Sequence, residues 1–110
     1  MIEKLVREYL AKTLNVPVRL QLPETPPDRF VVLEKTGGGG STVHSATVAV
    51  QSYGQSLDEA IRLNEQVKAA MQKLPEQEQV TRVELNTDYN FTDTRLKRYR
   101  YQAVFDIYHY

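Results

Sequence analysis

The feature that most constrains this chain is a strict alternation close to its last residue. Tyr99, Tyr101, Ala103, Phe105 and Ile107 take every second position, and Arg98, Arg100, Gln102, Val104 and Asp106 fill the positions between them. Successive side chains of a strand point to opposite faces, so the pattern predicts a long strand with one buried face. A lone strand satisfies neither its backbone groups nor its apolar face. The chain must therefore build a sheet around this segment and cover one side of it.

Two stretches are suited to be the cover. Ile2, Leu5, Val6, Tyr9, Leu10 and Leu14 fall at helical spacing, with Glu3, Lys4, Arg7, Glu8 and Lys12 on the opposite side. This predicts a helix over about Ile2 to Leu14. Asn15 suits the left-handed position after its last turn, and Pro17 prevents continuation. A second helix is predicted to open at Ser56, with Glu59 completing a capping box. Its predicted buried stripe is Leu57, Ala60, Ile61, Val67, Met71 and Leu74, and Pro75 stops it. Asp58 and Glu59 suit its positive end, Lys68 and Lys73 its negative end.

The remaining strands are shorter signals. Val18, Leu20 and Leu22 alternate with Arg19 and Gln21 between Pro17 and Pro23, the pattern of a short half-buried strand. The stretch from Pro23 to Asp28 carries three prolines and reads as an extended loop. Phe30 to Leu33 is an unbroken apolar run, expected as a central strand covered on both faces. Thr36 to Thr42, centred on the glycines Gly37, Gly38, Gly39 and Gly40, is expected as a flexible hairpin tip. The next strand places Ala46, Val48 and Val50 on one face, and a further strand begins near Val80 and carries Val83 and Leu85. The expected fold is α+β in the order α-β-β-β-α-β-β, a mainly antiparallel sheet with two helices packed on one face. With 110 residues and no internal repeat, residues 1–110 are expected as one domain.

Composition excludes several functions. Lys+Arg and Asp+Glu both number 14, so the basic excess of a dedicated nucleic-acid binder is missing. There is no cysteine, which removes disulfides, thiol chemistry and Cys-ligated zinc. His44 and His109 are the only histidines and lie far apart in sequence, so neither a metal nor any other cofactor is expected. No apolar run approaches the roughly 20 residues that span a bilayer, and the N-terminus already begins an amphipathic pattern rather than a leader. An intracellular protein without membrane association is expected.

Candidate motifs have two readings each. The glycines Gly37 to Gly40 could cradle a phosphate, but they lack the strand–glycine–helix context of such loops. A hairpin loop that orders against a neighbouring subunit is the alternative. Arg95, Lys97, Arg98 and Arg100, interleaved with Tyr99 and Tyr101, look like a nucleic-acid surface. In a strand those tyrosines point away from Arg98 and Arg100, which favours tyrosines in the core and arginines solvated or at an interface. Asn90-Phe91-Thr92 matches a glycosylation acceptor but has no secretory signal beside it. Asp88 and Asp93 read as turn residues. Tyr108 lies on the face opposite Tyr101 and Phe105, so with Tyr110 it is a candidate for burial by a partner. No set of nucleophile, base and electrophile emerges, and no catalytic residue is assigned.

Several segments together resemble a small family of phages and prophages of Gram-positive bacteria. They are Val16-Pro17-Val18, Pro26 to Gly38, Ala49 to Gly54, Thr87 to Thr94, and Tyr99 to Phe105. The family is similar to the small α+β tail-terminator and tail-completion proteins of long-tailed phages. The resemblance implies a homo-oligomeric ring, typically hexameric, that caps the tail tube and joins it to the head connector. It also implies assembly in the host cytoplasm and a final place at the head–tail junction of the virion. DNA would pass through the lumen without specific binding, and no catalytic residue is carried over. The interface positions expected on this reading are Gly37, Gly38, Gly39, Gly40, Arg98, Arg100, Tyr108 and Tyr110. The competing expectation is a nucleic-acid-binding module using the basic and aromatic last strand.

Overall fold

The sequence periods translate directly into layers in the computed structural model, which describes residues 2–39, 44–93 and 98–110. Helix α1 spans Ile2–Leu14, strand β1 Val18–Arg19, β2 Phe30–Gly39, β3 His44–Gly54, helix α2 Leu57–Gln72, β4 Val80–Asn90 and β5 Tyr99–His109. The fold is α+β in the expected order α-β-β-β-α-β-β. One five-stranded sheet runs β1-β2-β3-β5-β4. All neighbours are antiparallel except β1 and β2, which pair in parallel at Val18–Val31 and Arg19–Val32.

The helices share one face of this sheet with a single apolar cluster. Val6 and Leu10 of α1 and Leu63, Val67 and Met71 of α2 pack on Leu33, Val48, Val50, Phe105 and Ile107 of the sheet. The alternation of the last strand is realised from Ala103 onward, where Ala103, Phe105 and Ile107 are buried on the helix side, whereas Tyr99 is exposed and Tyr101 only half-buried. The two helices are also tied together, since Tyr9 Oη donates to the carbonyl of Ala70 at 2.7 Å.

Local signals set the helix ends. Asn15 adopts φ 56°, the left-handed stop expected after α1. Ser56 caps α2 by accepting from Glu59 N at 3.1 Å. The Glu59 carboxylate accepts from Gln55 N at 3.1 Å, one residue before the cap. Pro75 does more than end α2: it sits in the first turn of a 3-10 helix, Leu74–Glu76, that tucks Leu74 into the core.

Four expectations are corrected by packing. Leu57 and Ile61 are exposed, while Leu63, Asn64 and Ala70 are buried. The buried stripe of α2 is thus turned away from the one read at its first turn. The face of α2 that reaches the sheet runs through Ala60, Leu63, Asn64, Val67 and Met71, and Leu57 and Ile61 lie beside it. Leu20 and Leu22 are also exposed, because β1 pairs for only two residues before the chain turns back to enter β2. Phe30 to Leu33 are buried on both faces as expected, but the central strand is β3. Gly37, Gly38 and Gly39 lie inside β2, opposite Thr47, Ala46 and Ser45, rather than at a hairpin tip. Gly40, Ser41 and Thr42 lie outside the described residues.

Gly38, whose added Cβ would lie 2.5 Å from the Ser45 carbonyl oxygen, and Gly54 are the positions where backbone closeness demands glycine. A methyl group at Gly54 would come within 2.7 Å of Glu59 Cβ and 2.8 Å of Ala60 N, since the end of β3 abuts the first turn of α2. At Gly39 the same methyl meets nothing within 4 Å. Gly54→Ala is expected to lower unfolding free energy by about 1–3 kcal/mol through overpacking. Gly39→Ala should stay within about 0.5 kcal/mol of the parent. Urea denaturation of the two variants checks the contrast.

Candidate functional site: an open sheet face and two sheet edges

The face of the sheet away from the helices is formed by alternate residues of four long strands. In register these are Phe30, Val32 and Glu34 of β2, and Thr47, Ala49, Gln51 and Tyr53 of β3. Arg100, Gln102, Val104, Asp106 and Tyr108 of β5 follow, with Arg82, Glu84, Thr87 and Tyr89 of β4. Among the described residues no helix covers this face, yet Phe30, Val32, Ala49, Gln51, Tyr53 and Gln102 on it are buried, and its polar centre is ordered. Arg100 Nη1 donates to Tyr53 Oη at 2.9 Å, and Tyr53 Oη donates to Gln51 Oε1 at 3.2 Å. Gln51 Nε2 donates to Gln102 Oε1 at 2.9 Å, and Gln102 Nε2 donates to Tyr89 Oη. Every donor points the same way, so each bond polarises the next, starting from the guanidinium.

At one end of the face the proline-rich loop after β1 comes down on the aromatic residues. Phe30 and Tyr53 stack with centroids 4.4 Å apart and planes 8° from parallel. The Arg100 guanidinium lies 4.2 Å from the Phe91 ring centre and 5.8 Å from that of Tyr53, and Arg98 lies 6.0 Å from Phe30. Leu22, Pro23, Glu24 and Pro26 then close a cleft of about 290 Å³ against Tyr53, Asp93, Arg98 and Arg100. Gln55 Nε2 fastens the loop by donating to Asp28 Oδ1 at 2.9 Å.

These contacts place the expected positions. Arg98 and Arg100 come together at the cleft, and Arg95 and Lys97 lie outside the described residues. Tyr99 and Tyr101 do point to the other side, but Tyr99 is exposed and Tyr101 only half-buried, so the core of β5 begins at Ala103. The aromatic partners of Arg100 are instead Tyr53 and Phe91, which β3 and the segment after β4 bring over. Tyr108 lies on the open face under the Arg82 guanidinium, 4.4 Å from its ring centre. Tyr110 is largely exposed, and its N–H donates to Gln79 O at 3.0 Å. Sequence spacing missed Tyr53, Phe30 and Phe91, because their convergence depends on strand register alone.

The sheet has two exposed edges. One is β2 beyond its brief pairing with β1, from Glu34 through Gly39, with a bulge between Lys35 and Gly37. The other is β4, which carries two bulges, at Val80–Arg82 and Leu85–Thr87. Asp88 is not a turn residue: it sits within β4 and fixes this edge to α2. Its Oδ2 accepts from Lys68 Nζ at 2.9 Å and from Asn64 Nδ2 at 3.0 Å. Asp93, in contrast, forms an isolated antiparallel bridge with Arg98. Asn90 Oδ1 accepts from Thr92 N at 3.0 Å, which gives the would-be glycosylation triplet a turn role. Among the described residues no helix is long and apolar enough to cross a membrane.

The hydrogen bond from Lys68 holds the Asp88 carboxyl below its usual range, helped by Asn64 and opposed by burial. The same bond, with one to Glu65, raises Lys68. A lowered carboxyl stabilises the fold above its ordinary value near pH 4 and loses that effect as pH falls through its folded value. A raised lysine stabilises the fold below its ordinary value near pH 10 and loses the effect as pH rises through its folded value. Asp88→Asn is therefore expected to cost about 1 kcal/mol across the interval between, discounted for partial exposure. The deficit should shrink on either side, in urea midpoints measured against pH.

The sequence matches no family model and no curated protein.

Proposed function

We propose that this protein is a structural assembly subunit, a tail-terminator-like component of a phage or prophage tail. In this reading copies form a ring that caps the tail tube and joins it to the head connector, with DNA passing through the lumen. The subunit contributes contacts rather than catalysis. The observation that carries the reading is the pair of unlike open edges, β2 and β4, on opposite sides of one sheet. Unlike edges meet head to tail, and head-to-tail contacts close into rings when the rotation allows. An exposed strand edge is a template for a strand of another chain. The open face, with Tyr108 and Tyr89 on it, supplies lateral area beside those edges. The segmental resemblance to phage tail proteins supports the same role, and the balanced net charge suits a lumen that must not retain DNA.

Light scattering after size exclusion is expected to show a multimer, formed at high concentration or on the tail tube. Lysine side chains at Gly37 and Gly39 have space, since the nearest atoms to a Cβ at Gly37 are 3.9 Å away and Gly39 is open. Gly37→Lys/Gly39→Lys should therefore fold normally, guard the β2 edge and abolish both the multimer and the arrest of tail-tube polymerisation. A parent protein that stays monomeric and fails to halt the tube would remove this reading.

One observation favours a second reading, a nucleic-acid-binding module. Arg100 lies beside the exposed Phe91 ring, so charge and stacking surface coincide there. This reading expects affinity for single-stranded DNA or RNA that falls steeply with salt. Arg98→Glu/Arg100→Glu should abolish that affinity; unchanged binding in fluorescence anisotropy would discard it.

A further inference from the structure

The two histidines are the farthest-separated chemically equipped residues that the sheet brings together. His44 opens β3 and His109 closes β5, and the two are directly opposite in the ladder. Their ring centres lie 5.7 Å apart, with planes 34° from parallel. We propose that His44 and His109 form a two-imidazole site for a divalent transition-metal ion such as Zn²⁺, Ni²⁺ or Cu²⁺.

Three features carry this. The first is separation: two imidazoles that share one ion at about 2.1 Å hold their ring centres roughly 5–6 Å apart, and the observed pair falls in that range. The second is the tautomer. His109 Nδ1 lies 3.1 Å from the carbonyl oxygen of Tyr110. In the tautomer that donates from Nδ1 to this oxygen, Nε2 keeps its lone pair. A ligating histidine ordinarily donates its other N–H to a carbonyl or carboxylate in this way, which fixes the ring and raises its basicity. The third is access. His44 is exposed and His109 half-buried at the end of the sheet, so an ion reaches the pair from solvent. Antiparallel pairing sets the two backbones opposite each other before the ion arrives, and so limits the ordering that binding must impose.

The donor set decides the class of ion. Neutral imidazole nitrogens suit zinc, nickel and copper, whereas magnesium and calcium require oxygen donors. Among the described residues no aspartate, glutamate or further histidine completes a three-ligand group. Water would complete the coordination, and the affinity falls below that of a structural zinc site with four protein ligands.

Isothermal titration of tag-free protein with NiCl₂ tests the site, with MgCl₂ as the control ion. One nickel ion per chain is expected, with no saturable heat from magnesium. His44→Ala removes a ligand from an exposed position and leaves the apolar core intact. It should weaken nickel binding on the order of tenfold or more, given that even outer-shell changes cost about that much. His109→Ala should do the same, with circular dichroism unchanged in both variants. The Cu²⁺ complex should show nitrogen hyperfine coupling in its electron paramagnetic resonance spectrum, lost in the double variant. An absence of saturable nickel binding, or nickel affinity that survives both substitutions, overturns the proposal.

Discussion

The uninterrupted ladder between β3 and β5 is the constraint on which the rest of the structure depends. Eleven consecutive residue pairs, from His44–His109 to Gly54–Tyr99, run without a bulge, although both neighbouring ladders contain one or more. Because side chains alternate, a slip of one residue would turn Val48, Val50, Phe105 and Ile107 away from the helices. The burial of those four residues holds the register from the helix side. Thr47 Oγ1, which donates to Asp106 Oδ1 at 2.8 Å, and the Gln51–Gln102 bond hold it from the other. Apolar burial and polar pairing thus specify the same alignment, as expected of a sequence whose local choices agree with its fold.

Much of the fold was legible because its signals are local. The period of Tyr99 to Ile107, the left-handed Asn15 and the Ser56 cap each depend on neighbours within a turn or a strand. What was not legible depends on how an element is set against its neighbours. Leu57 and Ile61 satisfy helical spacing, yet the stripe turned to the sheet runs through Ala60, Leu63, Asn64 and Val67 beside them. Leu20 and Leu22 satisfy strand spacing, yet β1 has a partner only at Val31 and Val32. Flexibility of composition misled at Gly37 to Gly39, where pairing with β3 outweighs the entropy that glycine loses. Asp88 reads as a turn residue by type but has Lys68 and Asn64 of α2 as partners.

The candidate site was legible only as a list of types. Arginines and tyrosines near the C-terminal strand were apparent, and their distribution between faces followed from alternation. The aromatic residues that meet Arg100 come from other parts of the chain, so no spacing rule finds them. The relay from Arg100 to Tyr89 likewise threads three strands. Its effect is to give a face without helical cover fixed side chains. A surface ordered in advance loses less freedom when a second surface meets it, whichever partner that is.

The position of β5 has a consequence for how the molecule is made. It is the last described strand in the chain but lies between β3 and β4 in the sheet. Val48 and Val50 of β3 therefore lack Phe105 and Ile107 until the end of the described chain is present. Sequence-distant pairing of this kind delays closure of the core. Until then β3 keeps an unpaired edge, a place where a nascent neighbour could pair in error.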